Sequence, residues 1–523
     1  MKSCRQLLFS LLVLLTFLSF ERESTAQTFT TLYTFSATNY LGVNSDGANP
    51  EAGLVFSGNT LYGTAFDGGN SGNGTVFGIE TNGMNFTPMH SFAASVPYPI
   101  YYESVTGIAY TNADGIGPAS ELLLSGNTLY GSTTSGGPLL FPATQYASPM
   151  PINGGSLFAV NLDDTFKTLY FFQQLDCQFY GALILSGTNL LGTTTSGGNY
   201  GCGTVFSIDT QGTDLATLYT FSGSSVTNDG ANDGADPQTG VVASGNYIYG
   251  TTCYAVYGST DFVDNGGTVF AINLINSNYQ MLHAFSYPAF NNNYTNSDGA
   301  FPYAGLVLSS NRLYGVTDRG GPNGSGTIYT VNTDGLGFTN LYFFSPLVVD
   351  AVSGLSTNVD GAVSFSKLVL SGNTLYGTTT VGGTAGNGTV FAVHTDGTGF
   401  NTLHNFTAGG INSLGIYTNS DGANPQAGLT LAGNALYGTT ENGGTNGMGT
   451  VFSFSLGPVS PSAPQLSINR SGNNLILTWP ANVTGYTLQS TTNLLSPVWT
   501  MVAGQFAVTN HISGVRQFFR LSQ

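Results

Sequence analysis

The chain is poor in charge. Only 7% of its 523 residues are Asp, Glu, Lys or Arg, and 27 acids outnumber 10 cations, for a formal charge of −17. So few Lys and Arg cannot neutralise a run of phosphates, which excludes nucleic acid as a partner. An anionic membrane surface is disfavoured for the same reason. Cysteine is scarce, with 4 in all, and no His/Cys cluster has the spacing of a zinc site. Beyond the first 20 residues no apolar run approaches the ~18 residues of a membrane-spanning helix, so no transmembrane helix is expected in the mature chain. No window there repeats with the 3.6-residue period of a long helix. Disorder is excluded by what is abundant: 41% hydrophobic and 12% aromatic residues are enough to build a core.

The first segment reads as an export signal, residues 1–26. Lys2 and Arg5 form a basic start, Leu7–Phe20 is an apolar run, and Ser24-Thr25-Ala26 offers small residues for cleavage before Gln27. The expected address is therefore extracellular, cell-surface or periplasmic. Without that segment the chain carries 7 basic and 25 acidic residues.

Glycine, at 72 residues, marks a repeat. A Leu-Tyr-Gly core recurs seven times, at Leu61-Tyr62-Gly63, Leu129-Tyr130-Gly131, Leu190-Leu191-Gly192, Ile248-Tyr249-Gly250, Leu313-Tyr314-Gly315, Leu375-Tyr376-Gly377 and Leu436-Tyr437-Gly438, with a mean spacing of 62.5 residues. Each is followed by a Gly-Thr-Val-Phe-like run such as Gly388–Phe391 or Gly449–Phe452. The sixth unit reads as four short strands, Lys367–Leu370, Thr374–Thr378, Thr389–His394 and Phe400–Phe406, punctuated by Gly, Asn and Asp. Four antiparallel strands seven times over predict an all-β, seven-bladed β-propeller over residues 27–457.

The chain ends sharpen this expectation. Six units are followed by an outer-strand motif such as Phe86–Phe92 or Phe338–Phe344; the seventh is not, and a stray copy, Phe29–Phe35, stands at the start. An open array would leave one blade an exposed edge. Closure predicts that Phe29–Phe35 completes the last blade, next to Thr450–Ser455. A β-solenoid is the alternative fold.

After a stiff Pro-rich linker, residues 458–464, the segment 465–523 resembles a short fibronectin III-like β-sandwich, through Leu475–Pro480 and Gly485–Leu488. Its Arg470, Arg516 and Arg520 suit docking or cell-surface attachment. The run Asp421-Gly422-Ala423-Asn424-Pro425-Gln426-Ala427-Gly428-Leu429, the Leu-Tyr-Gly-Thr-Thr segment, Gly-Gly and Gly449–Phe452 resemble the GloVer tandem repeat of secreted bacterial proteins, over roughly Phe29–Gly457. The resemblance implies export and, in many members, a C-terminal surface-sorting segment; an apolar helix with a basic tail is not present here. It implies no catalytic residues.

Candidate sites lie on the rim formed by the loops leading into each first strand and the loops between second and third strands. Asp46, Asp114, Asp229, Asp298, Asp360 and Asp421 each precede Gly in the former; Asp67, Asp318 and Glu441 lie in the latter. Asp46, Asp67, Asp298, Asp318, Asp360 and Asp421 are thus candidate ligand-binding residues. Asp-Gly is equally a plain turn signal, in which Asp bonds its following backbone and Gly takes positive φ. Asp229, Asp233 and Asp236, with oxygens every three or four residues, offer calcium ligands, although no Glu stands at the twelfth position. Cys177 and Cys202 are the preferred disulfide, with Cys253 a competitor. His90, His283 and His404 align with Tyr33, Tyr170, Tyr219 and Tyr342 on the outer strand, so a Ser–His–acid triad has no base on the rim. The function expected is an exported, non-enzymatic binding or surface-structural protein, presenting its acidic face to a glycan or extracellular protein. The alternative is a polysaccharide hydrolase or lyase using rim carboxylates.

Overall fold

The computed structural model describes residues 27–102, 105–138, 154–172, 181–223, 233–254, 266–288, 293–349 and 354–457, and tail strands between 467 and 522. The signal segment and the Pro-rich linker fall outside the described residues.

Blade 6 shows why the repeat folds as it does. Its strands, a to d from the ring axis outward, are Val369–Ser371, Thr374–Thr379, Thr389–His394 and Asn401–Asn405. Gly372, at φ 60°, makes the tight a–b turn that sets Leu370 opposite Leu375. On the b–c pair Gly377 faces Phe391. A β-carbon on Gly377 would stand 2.6 Å from Phe391 Cζ and 2.8 Å from Leu368 Cδ2, so the third residue of Leu-Tyr-Gly is a hole filled by a ring from the next strand. A bulge between Val390 and Phe391 then twists strand d away. Gly388, at φ 93°, opens strand c; its missing β-carbon leaves room for Pro425 Cδ of the following blade.

Seven such antiparallel sheets form the β-propeller, and among the described residues there is no helix. Blades 1 to 6 follow one another in sequence. Blade 7 pairs strands Thr430–Ala432, Ala435–Thr440 and Thr450–Ser455 with Thr28–Thr34 as its outer strand. The expected closure is thus present. Its seam resembles the others: Asn49 N–H donates to Met448 O at 2.9 Å, as Asn424 N–H does to Asn387 O between blades 6 and 7. Hydrophobic cores lie between neighbouring blades. Tyr314, Ile328 and Phe344 of blade 5 meet Leu368, Leu375 and Phe391 of blade 6, and Phe35, Tyr437 and Val451 of blade 7 meet Leu54, Leu61 and Phe77 of blade 1.

Among the described residues, three lead-in loops carry extra hairpins: Val96–Tyr102 with Val105–Thr111, Val348–Val349 with Ser356–Thr357, and Gly410–Ile411 with Tyr417–Thr418. Phe29–Phe454 is one compact unit, and a second contains Ser455–Gln523. In the latter, Ser467–Ser471, Asn474–Thr478 and Ala507–His511 form one antiparallel sheet, and Thr500–Met501, Thr487–Thr491 and Phe518–Ser522 another.

Candidate functional site

The recurrent lead-in aspartates point inward. Asp46, Asp360 and Asp421 are buried. Each accepts a hydrogen bond from the outer strand of the preceding blade: from Tyr33 to Asp46 (2.7 Å), Tyr219 to Asp233 (2.8 Å) and Tyr342 to Asp360 (2.8 Å). Where the outer strand carries His the same contact forms, His90 with Asp114 (2.9 Å), His283 with Asp298 (3.1 Å) and His404 with Asp421 (2.9 Å). Each carboxylate also takes the backbone N–H that ends that strand, for example Ser36 to Asp46 and Thr407 to Asp421. Burial alone would push the Asp421 carboxyl up, but hydrogen bonds from His404 and Thr407 and the His404 charge outweigh it and hold the pKa below the usual value. The donor rings stack on the next outer strand, His404 on Phe29 at 3.8 Å and Tyr342 on Phe400 at 3.7 Å.

An Asn two residues before the Asp completes the turn. Asn419 Oδ1 accepts from Gly422 N and Gly444 N, tying the Asp-Gly turn to the Gly-Gly pair of the b–c loop. In the fourth unit the residue in this role is Asp233, not Asp229 as the dipeptide alone suggests. Asp233-Gly234 stands the same distance from Pro237 as Asp46-Gly47 does from Pro50. Asp229 lies outside the described residues, and so does Cys177, with the bridge expected of it to Cys202. Asp233 is saturated by Tyr219 and Ser222, while Asp236 takes Gln238 Nε2 at 3.2 Å. Cys202 is buried, its Sγ donating to Tyr200 O and Ser222 O.

The groups that remain for a ligand surround the ring axis. The inner strands enclose a channel of about 490 Å³ lined by residues from all seven blades. On the blade 1 side of its lining stands Glu51, within reach of the charges of Glu441 and Asp67. Burial, then the charges of Glu441 and Asp67, push the Glu51 pKa up to about 7. Asp67 is raised by burial and by Glu441, and Glu441 accepts from Gln426 Nε2. Between blades 4 and 5 the Tyr254 and Tyr303 hydroxyls are 2.5 Å apart. Beside them the Cys253 thiol is fully buried and pushed well up by that burial. Burial also lifts Asp318 to about 6, against the opposing Arg319 charge 3.4 Å away.

A second cavity, about 520 Å³, opens between the lead-in hairpins of blades 6 and 7. Leu355, Ile416, Tyr417 and Met448 form its apolar walls; Asn49, Asn387, Asn424 and Asn442 form its polar side. Among the described residues no charged side chain lines it. The amides are held in a row: Asn49 donates to Asn442 and Asn442 to Asn424 (3.4 Å each), and Asn424 to Thr380 O at 3.0 Å. Asn387, 4% exposed, donates to the Tyr417 hydroxyl at 2.8 Å, and its Oδ1 accepts no hydrogen bond from the described residues. The amide row carried no sequence signal beyond the Asn-Pro of the lead-in motif. Asn387 sits in a Gly-Asn-Gly-Thr run that reads only as a turn.

No family model matches the sequence, and no curated protein matches it. Solved structures that resemble it include oligogalacturonate lyase from Vibrio parahaemolyticus, 10% identical over 82% of this chain and 97% of that one, with a TM-score of 0.40. Others are TolB from Acinetobacter baumannii (13%, 62% and 58%, 0.32) and the N-terminal domain of Nup159 (10%, 82% and 96%, 0.40). These likenesses concern strand layout and assign no activity.

Among the described residues no three His, Cys, Asp or Glu side chains converge as a metal site. No helix among them is long and apolar enough to cross a membrane.

Proposed function

We propose that the protein is an exported binding protein of the GloVer-repeat type, whose loop face takes an uncharged glycan in the cleft between the hairpins of blades 6 and 7. The observation that carries this reading is the chemistry of that cleft. In a protein of charge −17 its described walls carry no charge, and they pair an aliphatic and aromatic side with a prearranged row of amides. A sugar ring offers the complement, an apolar C–H face and an edge of hydroxyls that both donate and accept. Amides already held by one another lose little freedom on binding. The Asn387 Oδ1, which accepts nothing from the described residues, is an acceptor free for a hydroxyl. Turnover by lead-in carboxylates is not favoured, because those groups are spent on the blade seams.

The second unit then serves attachment, and deleting residues 465–523 releases the protein into the medium. Export follows from residues 1–26, and a reporter fused behind them leaves the cytoplasm. The direct test is a neutral-glycan array probed with the full mature chain. Binding that falls about tenfold or more in N387A, on chain still folded by circular dichroism, is expected, and Tm falls modestly as the Thr407 O and Tyr417 contacts are lost. An array on which nothing is retained, or on which N387A binds as well as the native chain, refutes the reading.

A further inference from the structure

The channel holds a feature that neither the fold nor the cleft uses. The residue just before the buried inner-strand position is Gly53, Ala182, Gly240, Gly305 or Gly428 in five repeats, but Glu121 in blade 2 and Lys367 in blade 6. Both long side chains lie against glycines of neighbouring blades. A β-carbon on Gly53 would stand 3.4 Å from the Glu121 carboxyl carbon, and one on Gly305 would stand 3.5 Å from Lys367 Cδ. Glu121 therefore leans over blade 1 and Lys367 over blade 5, on nearly opposite sides of a seven-blade ring.

Both are only partly exposed, and among the described residues neither has a hydrogen bond or ion pair. Neither charge, then, is paired within the described fold. The surroundings differ too: Glu51 shares the wall near Glu121, whereas the rings of Phe365 and Tyr303, 5.5 Å apart, lie beside Lys367. The channel is thus bipolar, with carboxylates on one side and an ammonium with two aromatic rings on the other.

We propose that the channel binds a short zwitterionic peptide with free ends, its ammonium at Glu121 and Glu51, its carboxylate at Lys367, and its apolar side chain against Phe365 and Tyr303. A single ion satisfies one wall and leaves the other charge unpaired; a zwitterion of a few residues satisfies both. The volume of about 490 Å³ lies within the range of small-ligand sites. Because burial and the Glu441 and Asp67 charges lift Glu51 to about 7, ammonium binding beside it near neutrality releases a proton.

Calorimetry of the full mature chain with Ala-Phe, its C-terminal amide and its N-acetyl derivative tests this. Ala-Phe binds most tightly, and each blocked form loses about tenfold, as for one charge-assisted contact. K367M weakens Ala-Phe to the level of the amide without weakening the amide further, K367R retains most of the affinity, and E121Q does the same for the acetylated peptide. If either variant misfolds, the ranking of the three peptides on the native chain decides. Equal affinity for all three, no heat with Ala-Phe, or an unaffected K367M overturns the assignment.

Discussion

Ring closure puts a definite cost on one side chain near the N-terminus. Phe35 is 0% exposed; its ring lies 5.4 Å from Phe77 and 5.8 Å from Phe86 of blade 1. The repeat-equivalent Phe92 is equally buried, 5.4 Å from Phe158 and 5.8 Å from Phe166 of blade 2. Truncating a buried Phe to Ala costs about 3–5 kcal/mol, and near-identical surroundings predict near-identical losses for F35A and F92A. For a ring of this size the unfolding entropy is roughly 0.9 kcal/mol per kelvin, so either change lowers Tm by about 3–6 °C. Urea unfolding followed by far-UV circular dichroism gives the comparison, since both tryptophans lie in the tail and report on the wrong unit. A lower m-value in F35A alone marks a seam that opens before the rest. If F35A falls within about 0.5 kcal/mol of the native chain while F92A loses several, the first strand does not close the ring in solution.

Five further substitutions have signs fixed by the structure. Glu51 has a folded pKa raised from 4.5 to about 7, so it costs stability that accumulates as pH climbs through that window and is constant above it; E51Q should stabilise by on the order of 2–3 kcal/mol near pH 8 and by nothing near pH 4, in paired urea titrations. H404Y should melt like the native chain, because Tyr fills that place against Asp46 and Asp360. H404F should lose about 1.5–3 kcal/mol; as Asp421 is held below its ordinary pKa, the loss is full above about pH 4 and fades as pH falls through the lowered value. Val363 sits at φ 61°, where Asn49 and Asn424 sit at 55° and 57° and donate to Glu441 O and Thr380 O, so V363N should raise stability by about 1 kcal/mol, a gain checked by Tm. G377A should lose at least about 1–3 kcal/mol through overpacking against Phe391.

The fold was legible because its determinants are local and repeated. Gly377 beneath Phe391 belongs to a motif seen seven times and Gly388 beneath Pro425 to a contact seen five times, so an atypical copy such as Leu190-Leu191-Gly192 does not obscure the pattern. The role of the lead-in Asp was half legible. Asp-Gly announces a turn, but its partner is a Tyr or His on another strand across a seam, and a tertiary pairing leaves no trace in the dipeptide. The visible trace was the exchange of Tyr and His at one register, which is what a shared acceptor permits. In the fourth unit two Asp-Gly pairs compete, and the distance to Pro237 decides for Asp233. The channel could not be found by matching motifs at all, for a reason that also weighs on function. A side chain the ring requires must recur, as the buried aspartates do, and each of those is consumed by its seam. The slot of Glu121 and Lys367 accepts Gly four times and Ala once, so the ring stands without a charge there. Two opposite charges held in such a slot, neither with a partner among the described residues, are what the proposed zwitterion answers.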